Sequence, residues 1–283
     1  MGAVGRAQVA LSPGSEVDIS ARAPARHTGS VSGPVLELRQ YRLHPGTRET
    51  LVRLFDEHLV EGQEQYGMEV VGQFRDVGDP DRFVWIRGFE SMEARTVALE
   101  GFYSGPTWRA HAAAANATMV DFSNVLLLRP TGAEAGFAHD PRRRARVTDP
   151  ERRGEAGFVV ATIHSFARPL GDAEAFRSRF RAEVAPALAV TGTPVLAELV
   201  TESTPNPFRR LPVREGENVF VWFAAYPDRA MERASARMLA RILPNLRALS
   251  RADPERLVLA PTRRSALRYR GEVAVDGRRA LRR

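Results

Sequence analysis

Three polar residues, Glu37, Arg39 and Tyr41, recur at every second position of an otherwise largely apolar stretch, 35–43. In an extended strand this spacing puts all three side chains on one face. Trp85 and Arg87 make a second pair two residues apart within 83–89. Val160, Thr162, His164 and Trp222 hold comparable places later in the chain. Turned inward, these faces would give aromatic walls with a few convergent polar groups, the usual makeup of a small-molecule site. Arg39 or Arg87 would grip a carboxylate or enolate through two parallel N–H donors. Tyr41 would donate a hydrogen bond, and His164, which titrates near neutrality when unperturbed, would be the general base. The expected site is thus His164 and Tyr41 as catalytic residues, with Glu37, Arg39, Trp85, Arg87 and Trp222 holding the substrate. A purely structural reading stands beside it. Glu37, Arg39 and Arg87 would be a buried ion-pair network that sets sheet register, Trp85 and Trp222 core residues, and His164 a satisfied core histidine.

The elements that would position these residues follow from periodicity. The strand at 35–43 stops at His44-Pro45-Gly46, and Thr47 with Thr50 offers helix capping. Leu51, Leu54, Phe55, His58 and Leu59 then recur at spacings of three and four, the stripe of an amphipathic helix. Gly67 fits a left-handed cap at its end. Strands follow at 68–75 and 83–89, the latter apolar on both faces. A helical region opens at Ser91 by capping logic and breaks near 101–106, and a fourth strand spans 121–129. Strand, helix, strand, strand, helix, strand is the split βαβ order of a ferredoxin-like fold. The order returns at 158–166, 172–188, 195–201, 218–226, 230–249 and 257–261.

Phe83-Val84-Trp85 matches Phe220-Val221-Trp222, and Tyr41 falls opposite His164. The offset between copies grows because 203–217 is inserted between the second copy's middle strands. That loop carries an exposed-looking Phe208, and long loops inside compact domains often serve function. The fold class expected is α+β: two ferredoxin-like βαββαβ repeats forming an α+β barrel, closed within the chain or by dimerisation. The divisions expected are a disordered extension (1–33), a first domain (34–131), a linker (132–156), a second, divergent domain (157–262) and an Arg-rich disordered tail (263–283).

Composition excludes several classes. The chain has 283 residues, 41 Lys plus Arg against 34 Asp plus Glu, and no cysteine. Disulfides, thiolate chemistry and cysteine-ligated metals are therefore out. All the cations are Arg, which together with abundant Ala, Gly and Pro reads as coding bias. Removing three Arg and two acids in 1–33, and eight Arg and two acids in 263–283, leaves 30 of each sign between. The globular part is neutral, so no specific nucleic-acid partner is expected. The six His show no paired ligand spacing, and no glycine-rich phosphate loop is present. No cofactor is expected; haem would require His58, His111 or His164 as axial ligand. No apolar run is long enough to span a bilayer, and no signal segment is evident, so a cytoplasmic location is expected.

The set Glu37-Leu38-Arg39-Gln40-Tyr41-Arg42-Leu43-His44-Pro45-Gly46, Gly67-Met68 with Val70-Val71-Gly72, Trp85-Ile86-Arg87-Gly88-Phe89-Glu90-Ser91 with Arg95, and Phe102-Tyr103 with Pro106 and Trp108, resembles a NIPSNAP domain. The resemblance covers about 34–131; the second copy keeps the strand order and Trp222 but loses the Arg and Tyr positions. It implies a dimeric α+β barrel architecture, whose relatives include cofactor-free antibiotic-pathway monooxygenases, haem enzymes and muconolactone-type isomerases. It further implies a small aromatic or carboxylated metabolite as ligand in bacterial specialised metabolism, with cofactor-free acid–base chemistry, and a homo-oligomer as one arrangement. The alternative is a non-catalytic binding or interaction protein whose barrel is packed solid. A cavity of a few hundred cubic ångströms reached by Arg39, Tyr41, Arg87 or His164 would favour the first reading.

Overall fold

The computed structural model describes residues 32–149, 157–167, 171–193, 195–247 and 249–269. The first repeat runs β1 (Val35–Leu43), α1 (Arg48–Leu54), a π-helical turn (Phe55–Leu59), α2 (Val60–Glu64), β2 (Glu69–Asp76), β3 (Arg82–Phe89), α3 (Met92–Ser104), α4 (Pro106–Asn116) and β4 (Met119–Pro130). The second runs β5 (Phe158–Ser165), α5 (Gly171–Arg179), a π-helical turn (Phe180–Val184), α6 (Ala185–Val190), β6 (Val195–Thr201), β7 (Val219–Tyr226), α7 (Arg229–Ile242), α8 (Pro244–Arg247) and β8 (Glu255–Pro261). Gly67 takes φ 83° after α2, as a left-handed cap requires. Ser91 Oγ accepts from Ala94 N at 3.0 Å and Asp228 Oδ1 from Met231 N at 2.8 Å, so equivalent helices start on equivalent caps. Thr47 makes no side-chain cap bond; its hydroxyl donates to the His44 carbonyl instead.

The eight strands form one closed antiparallel barrel in the order β1-β3-β2-β8-β5-β7-β6-β4. Each repeat supplies four neighbouring strands. The two seams are β2–β8, where Phe74 faces Pro261, and β4–β6, where Leu128 faces Thr201. Closure therefore occurs within the chain, and no strand is left as an unpaired edge.

Alternation along each strand divides the apolar residues between two faces. Leu36 and Leu38, Val84 and Ile86, Leu126 and Leu128, Val159, Ala161 and Ile163, and Val221 and Phe223 fill the barrel interior as one apolar cluster. The opposite faces meet helices: Tyr41, Phe83 and Trp85 pack against the helices of the first repeat, and Val160, Phe220 and Trp222 against those of the second. The barrel interior is thus a packed core, and the expectation of an inward-facing polar site is corrected. The polar face of β1 turns outward, under the helices.

Two expected divisions also change. Within 132–156, Phe137 is fully buried in the barrel core, and Arg144 pairs with Glu64 at 2.8 Å and donates to the Val70 carbonyl. This part of the linker is integral to the fold. The expected tail begins with an ordered strap: Leu267 joins the barrel core, and Arg264 pairs with Glu61 and donates to the Asp56 carbonyl. Residues 1–31, 150–156 and 270–283, where the remaining expected extension, linker and tail fall, lie outside the described residues.

Candidate functional site

Glu37, on β1, sits at the centre of a fully buried cluster between the first repeat's sheet and its helices. Arg39 Nη1 donates to Glu37 Oε2 at 2.6 Å, and Arg87 Nε to the same oxygen at 2.7 Å. Arg95, from α3, donates through Nε to Oε1 at 2.6 Å, with its Nη2 also 2.6 Å from that oxygen. The register explains the convergence: Glu37 lies directly opposite Arg87, and Arg39 opposite Trp85. Arg39 Nε donates to Tyr41 Oη at 2.8 Å, and Arg87 Nη1 to Gln63 Oε1 at 2.9 Å. Both guanidiniums lie near the Trp85 ring, 5.6 and 4.9 Å from its centroid, and the cation–π attraction offsets part of their desolvation.

Three buried cations share one carboxylate, so the cluster carries a net charge of +2. Burial by itself would raise the Glu37 pKa; Arg87, Arg39 and Arg95 outweigh it and hold the carboxyl well below the usual range. Burial pushes the Tyr41 phenol up against the pull of Arg39, so it stays protonated at neutral pH. Four groups in this layer lack protein partners although almost wholly buried: Arg39 Nη2, Arg87 Nη2, Trp85 Nε1 and both amide atoms of Gln73, which lies opposite Trp85. Leaving such groups unpaired costs about 1–3 kcal/mol each, and more for charged ones.

The second repeat shows what the same frame does without this cluster. Matching strand register places Val160, Thr162 and Ala224 where Glu37, Arg39 and Arg87 stand. That layer is apolar, built on Phe176, Phe180, Phe220 and Trp222. His164 belongs to it: Trp222 Nε1 donates to His164 Nε2 at 3.4 Å, and the imidazole lies 4.4 Å from the Phe176 ring. Burial lowers its pKa to about 4, so it is neutral and weakly basic. β1 and β5 stand four strands apart in the ring of eight, on opposite sides of the barrel. His164 and Trp222 therefore do not meet Tyr41, Arg39 or Arg87. The expected convergence of the two catalytic candidates is corrected: Glu37, Arg39, Tyr41, Trp85 and Arg87 come together, and His164 and Trp222 form part of a separate apolar layer.

Gln63, which accepts from Arg87, and three further residues around the cluster escaped sequence reasoning. Arg95 is the third cation, although it already stood in the motif set that carries the family resemblance. The other two come from the inserted loop of the second repeat. Asn206 Oδ1 accepts from Arg95 Nη1 at 2.9 Å. Phe208, which looked exposed in sequence, is 5% exposed and stacks on Tyr103 with ring centroids 6.1 Å apart. Only the loop's unusual length signalled them. A cavity of about 640 Å³ opens at the root of that loop, lined by Leu127, Val200, Asn206 and Val213 among others. None of Arg39, Tyr41, Arg87 or His164 lines it. Among the described residues, no group of three or more His, Asp or Glu is placed to hold a metal. No helix among them is long and apolar enough to cross a membrane.

The fold and site define a tandem ferredoxin-like α+β barrel with a buried arginine–carboxylate cluster in its first repeat. The NIPSNAP family model matches residues 36–133, the repeat that holds the cluster. Among solved structures, a candidate monooxygenase from Fusobacterium nucleatum subsp. nucleatum ATCC 25586 is 12% identical, with a TM-score of 0.52 over 87% of this chain and 100% of its own. One from Lactobacillus acidophilus NCFM is 13% identical, with a TM-score of 0.48 over 84% and 100%. A NIPSNAP family protein of unknown function from Agrobacterium tumefaciens str. C58 is 21% identical over 35% of this chain and 89% of its own, with a TM-score of 0.33. A search of curated proteins finds no match. The Fusobacterium likeness shows a shared fold spanning both repeats.

Proposed function

We propose that the first repeat binds a small carboxylate-bearing metabolite, aromatic in part, in the layer between its sheet and its helices. One observation carries this: Arg39 and Arg87 keep unpartnered, fully buried Nη2 groups in a cluster of net charge +2. The equivalent positions of the second repeat, Val160, Thr162 and Ala224, build the same architecture without a charge. The buried cations are thus not demanded by the fold, and an anionic ligand would supply the missing acceptors. Trp85 supports an aromatic component through its position beside both guanidiniums. Tyr41, whose oxygen accepts from Arg39, directs its own proton away from that guanidinium and donates it to the ligand.

Any acid–base chemistry rests on Tyr41, because His164 stands in the opposite layer. A non-catalytic binding protein is the second reading, favoured by the filled barrel interior. Thermal shifts with 1-naphthoate and 3-phenylpropionate, each against its neutral amide, test binding. Stabilisation at about 100 times Kd is about 2.7 kcal/mol. The acids should stabilise wild type, the amides should not, and Arg39→Gln should abolish the effect. Equal shifts with acid and amide would refute the charge-based recognition.

A further inference from the structure

The arginine cluster is sealed, and a cavity of about 640 Å³ lies at the root of the 203–217 loop, whose Asn206 touches the cluster. Its size falls within the roughly 300–1,000 Å³ of small-molecule sites. Two residues belong to both compartments. Leu127 lines the cavity and packs in the same layer as Tyr41 and Trp85. Asn206 lines the cavity and presents Oδ1 to Arg95 Nη1. On the cavity side the walls mix apolar Phe166, Val200 and Val213 with charges of both signs, Arg177 paired with Glu174 and Arg214 with Glu217, so the anion is drawn by the cluster and the cavity takes the body. Asn206 is a neutral acceptor occupying a donor of a cluster that holds two uncompensated positive charges. A carboxylate is a stronger acceptor for that guanidinium.

We propose that cavity and cluster are two compartments of one site, with the ligand body in the cavity and its carboxylate replacing Asn206 Oδ1 on Arg95. Resting on the reading of the cluster as an anion site, this assigns the second repeat's loop the job of completing the first repeat's site. The ligand class follows: a monocarboxylate attached to an apolar body large enough to fill the cavity, at home against Phe166 and Val200. Asn206 is a positioning residue, since it acts by holding Arg95 and the loop. Its amide Nδ2 donates to the Leu211 carbonyl, and its backbone N–H donates to Glu215 Oε1, which fix the loop over the cluster.

The test uses the full chain and calorimetric titration with 2-naphthoate, alongside the uncharged 2-naphthamide. Asn206→Asp places a carboxylate on Arg95 in nearly the same shape. It gives up the Nδ2 bond to the Leu211 carbonyl, so its melting temperature is no readout, but it should weaken 2-naphthoate by about tenfold or more. Val213→Trp fills the cavity from the loop without touching Arg39, Arg87 or Arg95, and should weaken 2-naphthoate similarly while leaving the melting temperature near wild type. Arg39→Gln reports on the cluster alone. If Arg39→Gln removes binding while Asn206→Asp and Val213→Trp bind as wild type, the cavity has no part in the site. That result overturns this inference and leaves the cluster reading standing. If wild type does not distinguish 2-naphthoate from 2-naphthamide, both fall.

Discussion

Replacing Glu37 with Gln removes the one carboxylate among three fully buried guanidiniums. The side chain keeps its shape, so the change is electrostatic: the cluster goes from +2 to +3. The new amide N–H₂ also faces Arg donors at what were distances of 2.6–2.7 Å. Removing one partner from a buried ion pair costs about 3–5 kcal/mol. For a chain of this size that is a fall in melting temperature of roughly 6–20 °C. Urea unfolding and calorimetry at pH 7.5 measure it directly. The pH profile gives a second reading. Because Glu37 is held well below its ordinary value of 4.5, its stabilisation is fully present above that value. It is then lost as the pH falls from there through the folded-state pKa. The gap between wild type and Glu37→Gln should stay constant from pH 8 to about pH 5 and narrow below about pH 4.5. A companion variant carrying Glu37→Leu, Arg39→Met, Arg87→Met and Arg95→Met swaps the whole cluster for apolar groups of similar length. Such swaps are neutral or stabilising by about 1–4 kcal/mol. It should fold as well as wild type and bind no carboxylate. A Glu37→Gln loss under about 1 kcal/mol would refute the buried ion-pair argument, and an unfolded apolar variant would refute the reasoning that these charges serve binding rather than the fold.

Other expectations concern the second repeat, the strap and the barrel. His164, with its pKa lowered to about 4 by burial, resists protonation when folded but not when unfolded. Its contribution is therefore present above pH 6.5 and lost as the pH falls from there to about 4, some 3 kcal/mol in all. His164→Phe should flatten that slope in denaturant titrations. Burial raises Asp56 to about 6 despite Arg263 and Arg264, so its ionisation disfavours the folded state as the pH rises from 3.8 through 6. Asp56→Asn should stabilise the protein by at most about 3 kcal/mol at pH 7–8 and by nothing below pH 4, measured as melting temperature against pH. Phe137→Ala opens a void inside the barrel and should cost about 3–5 kcal/mol in urea unfolding, which a free linker residue would not.

Sequence periodicity alone determined the strands, the helices, the duplication and the grouping of Glu37, Arg39 and Tyr41 on one face. These are local facts, written in spacings of two, three and four residues. It also singled out the first repeat as the one with the polar set. Only the tertiary structure decided which face of β1 looks into the barrel. Alternation treats the two faces alike, and here both are buried, so neither reads as solvent. Ring order likewise decided that β5 stands opposite β1, which puts His164 and Trp222 out of reach of Tyr41 although the repeat aligns Tyr41 with His164. Arg95 and Asn206 meet across 111 positions of sequence, a separation at which no local pattern constrains a pair. The buried cluster was therefore half-written in the chain. Its third cation reaches Glu37 from α3 across 58 positions, and the loop that closes over it is in place only because the second repeat folds back beside the first.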